Sequence, residues 1–154
     1  MISSPEPIAH AAARLRAAGL RATAPRVAVL AEVAAGPHRT VDQIGSGARQ
    51  RLGAISTQAV YDALGALTGV GLVRRIEPAG SPARYETRVD DNHHHVVCRS
   101  CGTIADIDCA VGDPPCLAPP DVAGFVIDEA EVTFWGLCPD CQTTPKSNDR
   151  ERAT

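Results

Sequence analysis

Apolar residues recur at helical spacing from Pro7 to Leu20, at Ile8, Ala11, Ala12, Leu15 and Ala18, and predict a first helix that Gly19 stops. A second helix follows at once. Thr23 can cap it, Pro25 fits its first turn, and Val27, Leu30, Ala31 and Ala34 make one stripe before Gly36-Pro37 ends it. Thr40-Val41-Asp42-Gln43 has the form of a capping box and starts a third helix, to about Leu52, that Gly45 and Gly47 weaken. Ser56 caps a fourth, with Ala59, Val60, Ala63, Leu64 and Leu67 on one side and Gly69-Val70-Gly71 at its end.

The period then changes. Leu72 to Glu77 reads as a strand, Pro78 to Pro82 as a turn, and Ala83 to Thr87 as the returning strand, so residues 1–88 form a winged helix-turn-helix domain. Residues 89–92 read as a hinge. Beyond it Val96-Val97, Thr103 to Ile107, Phe125 to Ile127 and Val132 to Trp135 predict strands, giving residues 93–144 a small, mainly sheet domain. Four prolines between Val111 and Pro120 keep any helix there short, and residues 145–154 read as a disordered polar tail. The fold class is α+β, and no internal repeat is present.

Composition sharpens this picture. Of 154 residues 44% are apolar, but with 25 Ala and five aromatic residues any core is aliphatic and mostly helix-packed, and base-stacking platforms are unexpected. The length excludes a large multidomain enzyme. A net charge of −3 conceals two halves of opposite sign: residues 1–92 carry +3 and residues 93–154 carry −6. Fourteen of the fifteen cations are Arg, suited to bidentate contacts with phosphate and guanine. The N-terminus lacks a basic segment leading into an apolar run, and no stretch of about 18 apolar residues occurs, so a cytoplasmic location is expected.

All six Cys lie in the second half. Four form two CxxC pairs, Cys98-Arg99-Ser100-Cys101 and Cys138-Pro139-Asp140-Cys141, separated by 36 residues. Two-residue spacing lets both sulfurs of a pair turn toward one ion, so the four can complete a structural zinc site with no open position for catalysis; ordinary thiols or two disulfides are the competing reading. His93-His94-His95 precedes the first pair on a predicted strand, where His93 and His95 share a face and His94 points away. Glu86 and Asp106 are candidate carboxylates for a nitrogen/oxygen metal site there, against the alternative of surface or core histidines.

The basic half offers a nucleic-acid surface. The fourth helix begins with Ser56, Thr57 and Gln58, at the end that would enter a major groove, and Tyr61 follows as either a contact or a core residue. Arg74, Arg75 and Arg84 in the hairpin, with Arg16, Arg21 and Arg26 in the first helices, could meet phosphates or stand as solvated charges.

Thr-x-Pro-Arg at 23–26, Ala-Val-Tyr-Asp-Ala-Leu at 59–64, Gly-Leu-Val at 71–73, Arg-Tyr-Glu at 84–86 and His-His-His-Val-Val-Cys-Arg-Ser-Cys-Gly at 93–102 together resemble the ferric uptake regulator (Fur) family. Within it, Cys109 to Cys116 and Trp135 to Cys141 look most like the actinobacterial FurA type of peroxide-responsive repressor. The resemblance implies a homodimeric repressor that binds an operator in double-stranded DNA through its winged helix, dimerises through a zinc-stapled α/β domain and is not an enzyme.

It implies Cys98, Cys101, Cys138 and Cys141 as structural zinc ligands. It implies His38, Glu86, His93, His95 and Asp106 as ligands of a regulatory Fe2+ or Mn2+, His38 being chosen by the resemblance alone. For the peroxide-responsive type it implies oxidation of a ligand histidine, His38 or His93, with release of DNA; thiol oxidation at Cys98 and Cys101 is the competing sensor. The chain departs from many relatives at Asp62, where they place Arg or Asn. It departs also at Ala130, where some place a further metal-binding His, although His94, Asp113, Glu129 and Glu131 lie near. Cys109 and Cys116 belong to neither pair and read as buried thiols or a redox pair. A zinc-ribbon redox switch or adaptor without DNA binding is the alternative function; a zinc deaminase is disfavoured because no His-x-Glu occurs.

Overall fold

The computed structural model describes residues 8–89, 91, 93–108, 123–127 and 130–143. The chain divides into two compact units, residues 1–90 and 91–154. In the first, helices α1 (Ile8–Ala17), α2 (Ala24–Ala34), α3 (Val41–Leu52) and α4 (Thr57–Gly69) are joined by a short strand β1 (Arg39–Thr40) and followed by β2 (Arg74–Ile76) and β3 (Arg84–Glu86). Leu15, Val29, Leu30, Ile44, Val60, Leu64, Leu67 and Val73 fill the interior between the helices, and Tyr85 reaches it from the sheet. This is a winged helix.

Local chemistry accounts for the boundaries. Gly19 takes the left-handed backbone, at φ +78°, that ends α1. At α3 the capping box is complete: Thr40 Oγ1 accepts from the Gln43 amide at 3.3 Å and the Thr40 amide donates to Gln43 Oε1 at 2.9 Å. Ser56 Oγ accepts from the Ala59 amide at 3.1 Å, opening α4. Thr23 occupies the N-cap position of α2, but its side chain accepts no capping bond, so Pro25 alone supplies the helix-start signal there.

Three other expectations change. Gly45 and Gly47 read as weak points of α3, yet a Cβ on Gly47 would stand 2.0 Å from Glu32 Oε2, so glycine is what lets the buried Glu32 lie against this helix. The wing has three strands in the order β1-β3-β2, because Arg39 and Thr40 pair antiparallel with Tyr85 and Arg84. Two residues are too few to leave a period-2 pattern in the sequence.

The second unit holds a sheet of order β5-β4-β6, from β4 (His93–Cys98), β5 (Ile104–Asp108) and β6 (Thr133–Gly136), then a short helix α5 (Pro139–Thr143). β5 pairs antiparallel with β4, and β6 pairs parallel with it. Phe125 to Ile127 is not a strand. Ala123 and Gly124 turn the chain with φ +51° and +81°, and Phe125 and Val126 emerge 79% and 95% exposed. Both edges of β4 are already taken, so an apolar run there has no inner place to join. Asp90 and Asn92 of the expected hinge, the proline-rich stretch with Cys109, Asp113 and Cys116, Glu129 and the tail lie outside the described residues.

Candidate metal centres and nucleic-acid interface

The parallel pairing of β4 with β6 sets Cys98 opposite Gly136, so both strands end together and each runs directly into a CxxC pair. Cys101 lies in the turn to β5, closed by Cys98 N–H to Thr103 O at 2.9 Å and Gly102 N–H to Cys98 O at 2.9 Å. Cys141 is the third residue of α5. The four sulfurs lie within 4.8 Å of one another.

Cys101 Sγ is 3.7 Å from Cys138 Sγ, and the Cys138 amide donates to Cys98 Sγ at 3.4 Å. The amide of Cys101, then those of Cys138 and Ser100, favour the Cys98 thiolate over the effect of burial and bring its pKa down to about 6. Thr103 lowers that of Cys101. At Cys138 the Cys141 amide pulls the other way, but burial and the neighbouring sulfurs prevail and push the thiol up to about 12. Four crowded sulfurs cannot all ionise unaided, whereas a divalent cation lets them. The donor set and its backbone N–H groups fit tetrahedral zinc.

A second donor group belongs to the same unit. His93 and His95 share one face of β4, their ring centroids 4.8 Å apart, and cross-strand pairing puts Asp106 opposite His95. Asp106 Oδ1 lies 3.6 Å from His95 Nε2 and 3.9 Å from His93 Nε2. Both histidines are buried, as is His94. Asp91, two residues before His93, holds its Nδ1 at 2.5 Å through Oδ1, so the Nε2 nitrogens of His93 and His95 both turn toward Asp106. From the sequence Asp91 reads only as hinge, and its i, i+2 relation to His93 is the available signal.

The first unit carries its own pair. His38 Nε2 is 3.1 Å from Glu86 Oε2, with both side chains buried. Arg84, which the sequence offers as a phosphate contact or a solvated charge, donates through Nη1 to the His38 carbonyl at 3.1 Å.

The expected DNA-contacting residues divide by how they are engaged. Thr57 is exposed at the start of α4, and Tyr61, 51% exposed, is a surface residue and not a core one. Ser56 uses its hydroxyl for capping, and Gln58 Nε2 donates to Asp62 Oδ1 at 2.8 Å along the helix. Arg75 is exposed and bridged to Glu77, Nη2 to Oε2 at 2.7 Å. Arg74 is half-buried in β2; Arg21 is exposed beyond α1 and accepts, through its carbonyl, a bond from Arg26 Nη1 at 3.3 Å.

The Ferric uptake regulator family model matches residues 17–113. The transcriptional regulator FurA of Mycobacterium tuberculosis is 60% identical over 136 residues, spanning 88% of this chain and 92% of that protein. Ferric uptake regulation protein 1 of Mycolicibacterium fortuitum is 64% identical over 121 residues, 79% of this chain and 75% of its own. Among solved structures, the ferric uptake regulator Fur of Helicobacter pylori shares the fold, with a TM-score of 0.65 at 20% identity over 94% of this chain and 98% of that one. The chain therefore belongs to the ferric uptake regulator family, whose members are transcriptional regulators and not enzymes.

Proposed function

We propose that this protein is a metal-dependent, redox-sensing repressor that binds operator DNA as a homodimer in the cytoplasm and controls oxidative-stress genes, such as one for a catalase-peroxidase, or iron-related genes. Cys98, Cys101, Cys138 and Cys141 hold a structural zinc in each subunit. Through the ends of β4 and β6 the zinc ties the two ends of a small sheet domain together, contributing folding energy where the apolar core is thin.

One observation carries the regulatory reading: each unit presents an incomplete set of nitrogen and oxygen donors. His38 and Glu86 are two in the first, and His93, His95 and Asp106 are three in the second. Neither set fills the coordination shell of Fe2+ or Mn2+ alone, whereas five donors together approach it. When bound, such an ion supplies a charge that donors on both units hold in common. His38 and Glu86 then fix the winged helix relative to the sheet domain, selecting the dimer shape whose α4 helices fit two half-sites. Moving an equilibrium from about 1:99 to about 99:1 takes about 5.5 kcal/mol of preference for that shape.

Thr57, Gln58 and Tyr61 of α4, with Ser56 at its cap, face the bases, and Arg21, Arg74 and Arg75 meet phosphates. Oxidant sensing falls to His38 or His93 in this reading, with Cys98 and Cys101 as the competing site; Cys109 and Cys116 are further candidate thiols.

The test combines metal analysis with a gel shift on the upstream region of the gene, on one zinc-loaded sample before and after peroxide, with mass spectrometry of the oxidised residue. Tight binding only with Fe2+ or Mn2+ is expected. Equal binding after complete removal of the regulatory metal, with zinc retained, refutes the metal switch; a disulfide with unmodified histidines moves sensing to the thiols.

A further inference from the structure

We propose that Arg84 is a positioning residue that presents His38 to the regulatory metal, an assignment that rests on the reading of His38 as a ligand. His38, in the turn that leads into β1, has a left-handed backbone, φ +56°, although it is not glycine. Residues other than glycine visit this region sparingly, and such a conformation persists where the surroundings over-determine it. Here they do so from three sides.

Arg84 Nη1 donates to the His38 carbonyl at 3.1 Å. One residue on, Arg39 enters β1, pairing with Tyr85, and its Nη1 is held by the buried Glu32 Oε2 at 2.7 Å. His38 Nε2 meets Glu86 Oε2 at 3.1 Å. Strand alternation explains how one tripeptide does this: Arg84 and Glu86 share a face of β3, while Tyr85 turns to the other and is 5% exposed in the helical core. Thus β3 meets His38 at both ends, with Arg84 bonded to its carbonyl and Glu86 beside its ring. Without Arg84 the carbonyl is released, the backbone can relax to an ordinary φ, and the ring loses its aim.

The assignment has a distinguishing sign. Arg84 is a cation near two donors for a divalent cation, so charge repulsion alone predicts that removing it tightens metal binding. Positioning predicts that its removal weakens binding. Loss of an orienting partner behind a ligand typically costs about 10–100-fold in affinity.

The experiment is a Mn2+ titration of the zinc-loaded full chain, by calorimetry, on the parent protein, Arg84→Met, Arg84→Lys and His38→Ala, each with its thermal midpoint. Arg84→Met is expected to bind Mn2+ about 10–100-fold more weakly, with Arg84→Lys between it and the parent. Binding by Arg84→Met as tight as the parent's or tighter, while His38→Ala weakens it, overturns the positioning role and leaves the ligand reading standing. Unchanged binding by His38→Ala removes the ligand reading and the Arg84 role with it. Should Arg84→Met not fold, hydrogen exchange of residues 36–41 in metal-free Arg84→Lys decides: faster exchange than in the parent supports the role, and unchanged exchange overturns it.

Discussion

Cys98 and Gly136 are direct partners across two parallel strands, and this register places Cys138 two residues beyond the end of β6, where its amide reaches Cys98 Sγ. The sheet thus delivers both cysteine pairs to one point, where Val97 and Cys98 are the buried apolar side chains of the second unit among the described residues. We expect Cys138→Ser to lose stoichiometric zinc and the second unit to lose its cooperative transition, while the helical circular dichroism of the first unit persists. Zinc analysis beside a two-wavelength melt checks this. Retained zinc would show that Cys138 is not a required ligand, and lost zinc with an unchanged melt that the sheet holds the pairs together unaided.

The four helices were legible because each announces its start or end in local chemistry: Gly19, Pro25, the Thr40–Gln43 box and Ser56. The cysteine pairs were legible for a similar reason, since ligand spacing is local. What escaped depends on distant partners. A two-residue β1 has no period, and nothing in Thr133 to Gly136 tells a parallel edge strand from an antiparallel one. Phe125 to Ile127 has strand composition but no inner sheet edge to join. Glu32 sits inside an apolar helical stripe and could not be matched by sequence to Arg39 or Arg51, which lie 7 and 19 residues away. His38 carries no sequence signal of its own, and nothing in the sequence pairs Arg84 with the His38 carbonyl, 46 residues away.

Thr40 and Thr23 occupy equivalent N-cap positions but do different work. Thr40 caps α3 reciprocally with Gln43, whereas the Thr23 side chain accepts no capping bond. Thr40→Ala should therefore cost about 1 kcal/mol and Thr23→Ala a few tenths at most. Urea melts of the two variants provide the comparison, and equal losses would refute it.

Glu32 is buried against Gly47 and bridges to Arg39 and Arg51. Helix propensity alone predicts that Gly47→Ala stabilises α3 by about 1 kcal/mol. The close approach of Glu32 reverses the sign, and a net loss of about 1–3 kcal/mol is expected from the displaced carboxylate. Glu32→Ala is also expected to be costly, because Arg39 and Arg51 lose their common partner. With Glu32→Ala in place, Gly47→Ala should recover the gain of about 1 kcal/mol that propensity predicts, and the double-mutant cycle tests that non-additivity.

Asp62 lies on the exposed side of α4 and accepts from Gln58. If this face meets DNA, its negative charge opposes phosphate binding. Asp62→Asn keeps an acceptor for Gln58 while removing that charge, so it should tighten binding to operator and unrelated DNA alike, more at low salt than at high. A gain confined to the operator would instead mean that Asp62 helps choose bases through Gln58.

The thiols make metal-free stability depend on pH. Cys98 ionises at about 6 in the folded chain against a reference of 9.0. A depressed folded pKa adds stability that is complete above the unfolded value and is lost as pH falls through the folded one. Its contribution therefore declines from about pH 9 to about pH 6. Cys138, raised to about 12, opposes this only from about pH 8 upward, where the unfolded thiol begins to ionise, and adds little slope below that. Chelator-treated protein should grow less stable as pH is lowered from about 9 to about 6, and Cys98→Ser should remove that part of the slope. Thiolate absorbance at 240 nm gives an independent reading: one group titrating near pH 6 in the parent and absent from Cys98→Ser. A single thiol transition near pH 9 would show that the backbone N–H groups do not hold the Cys98 sulfur in the metal-free protein.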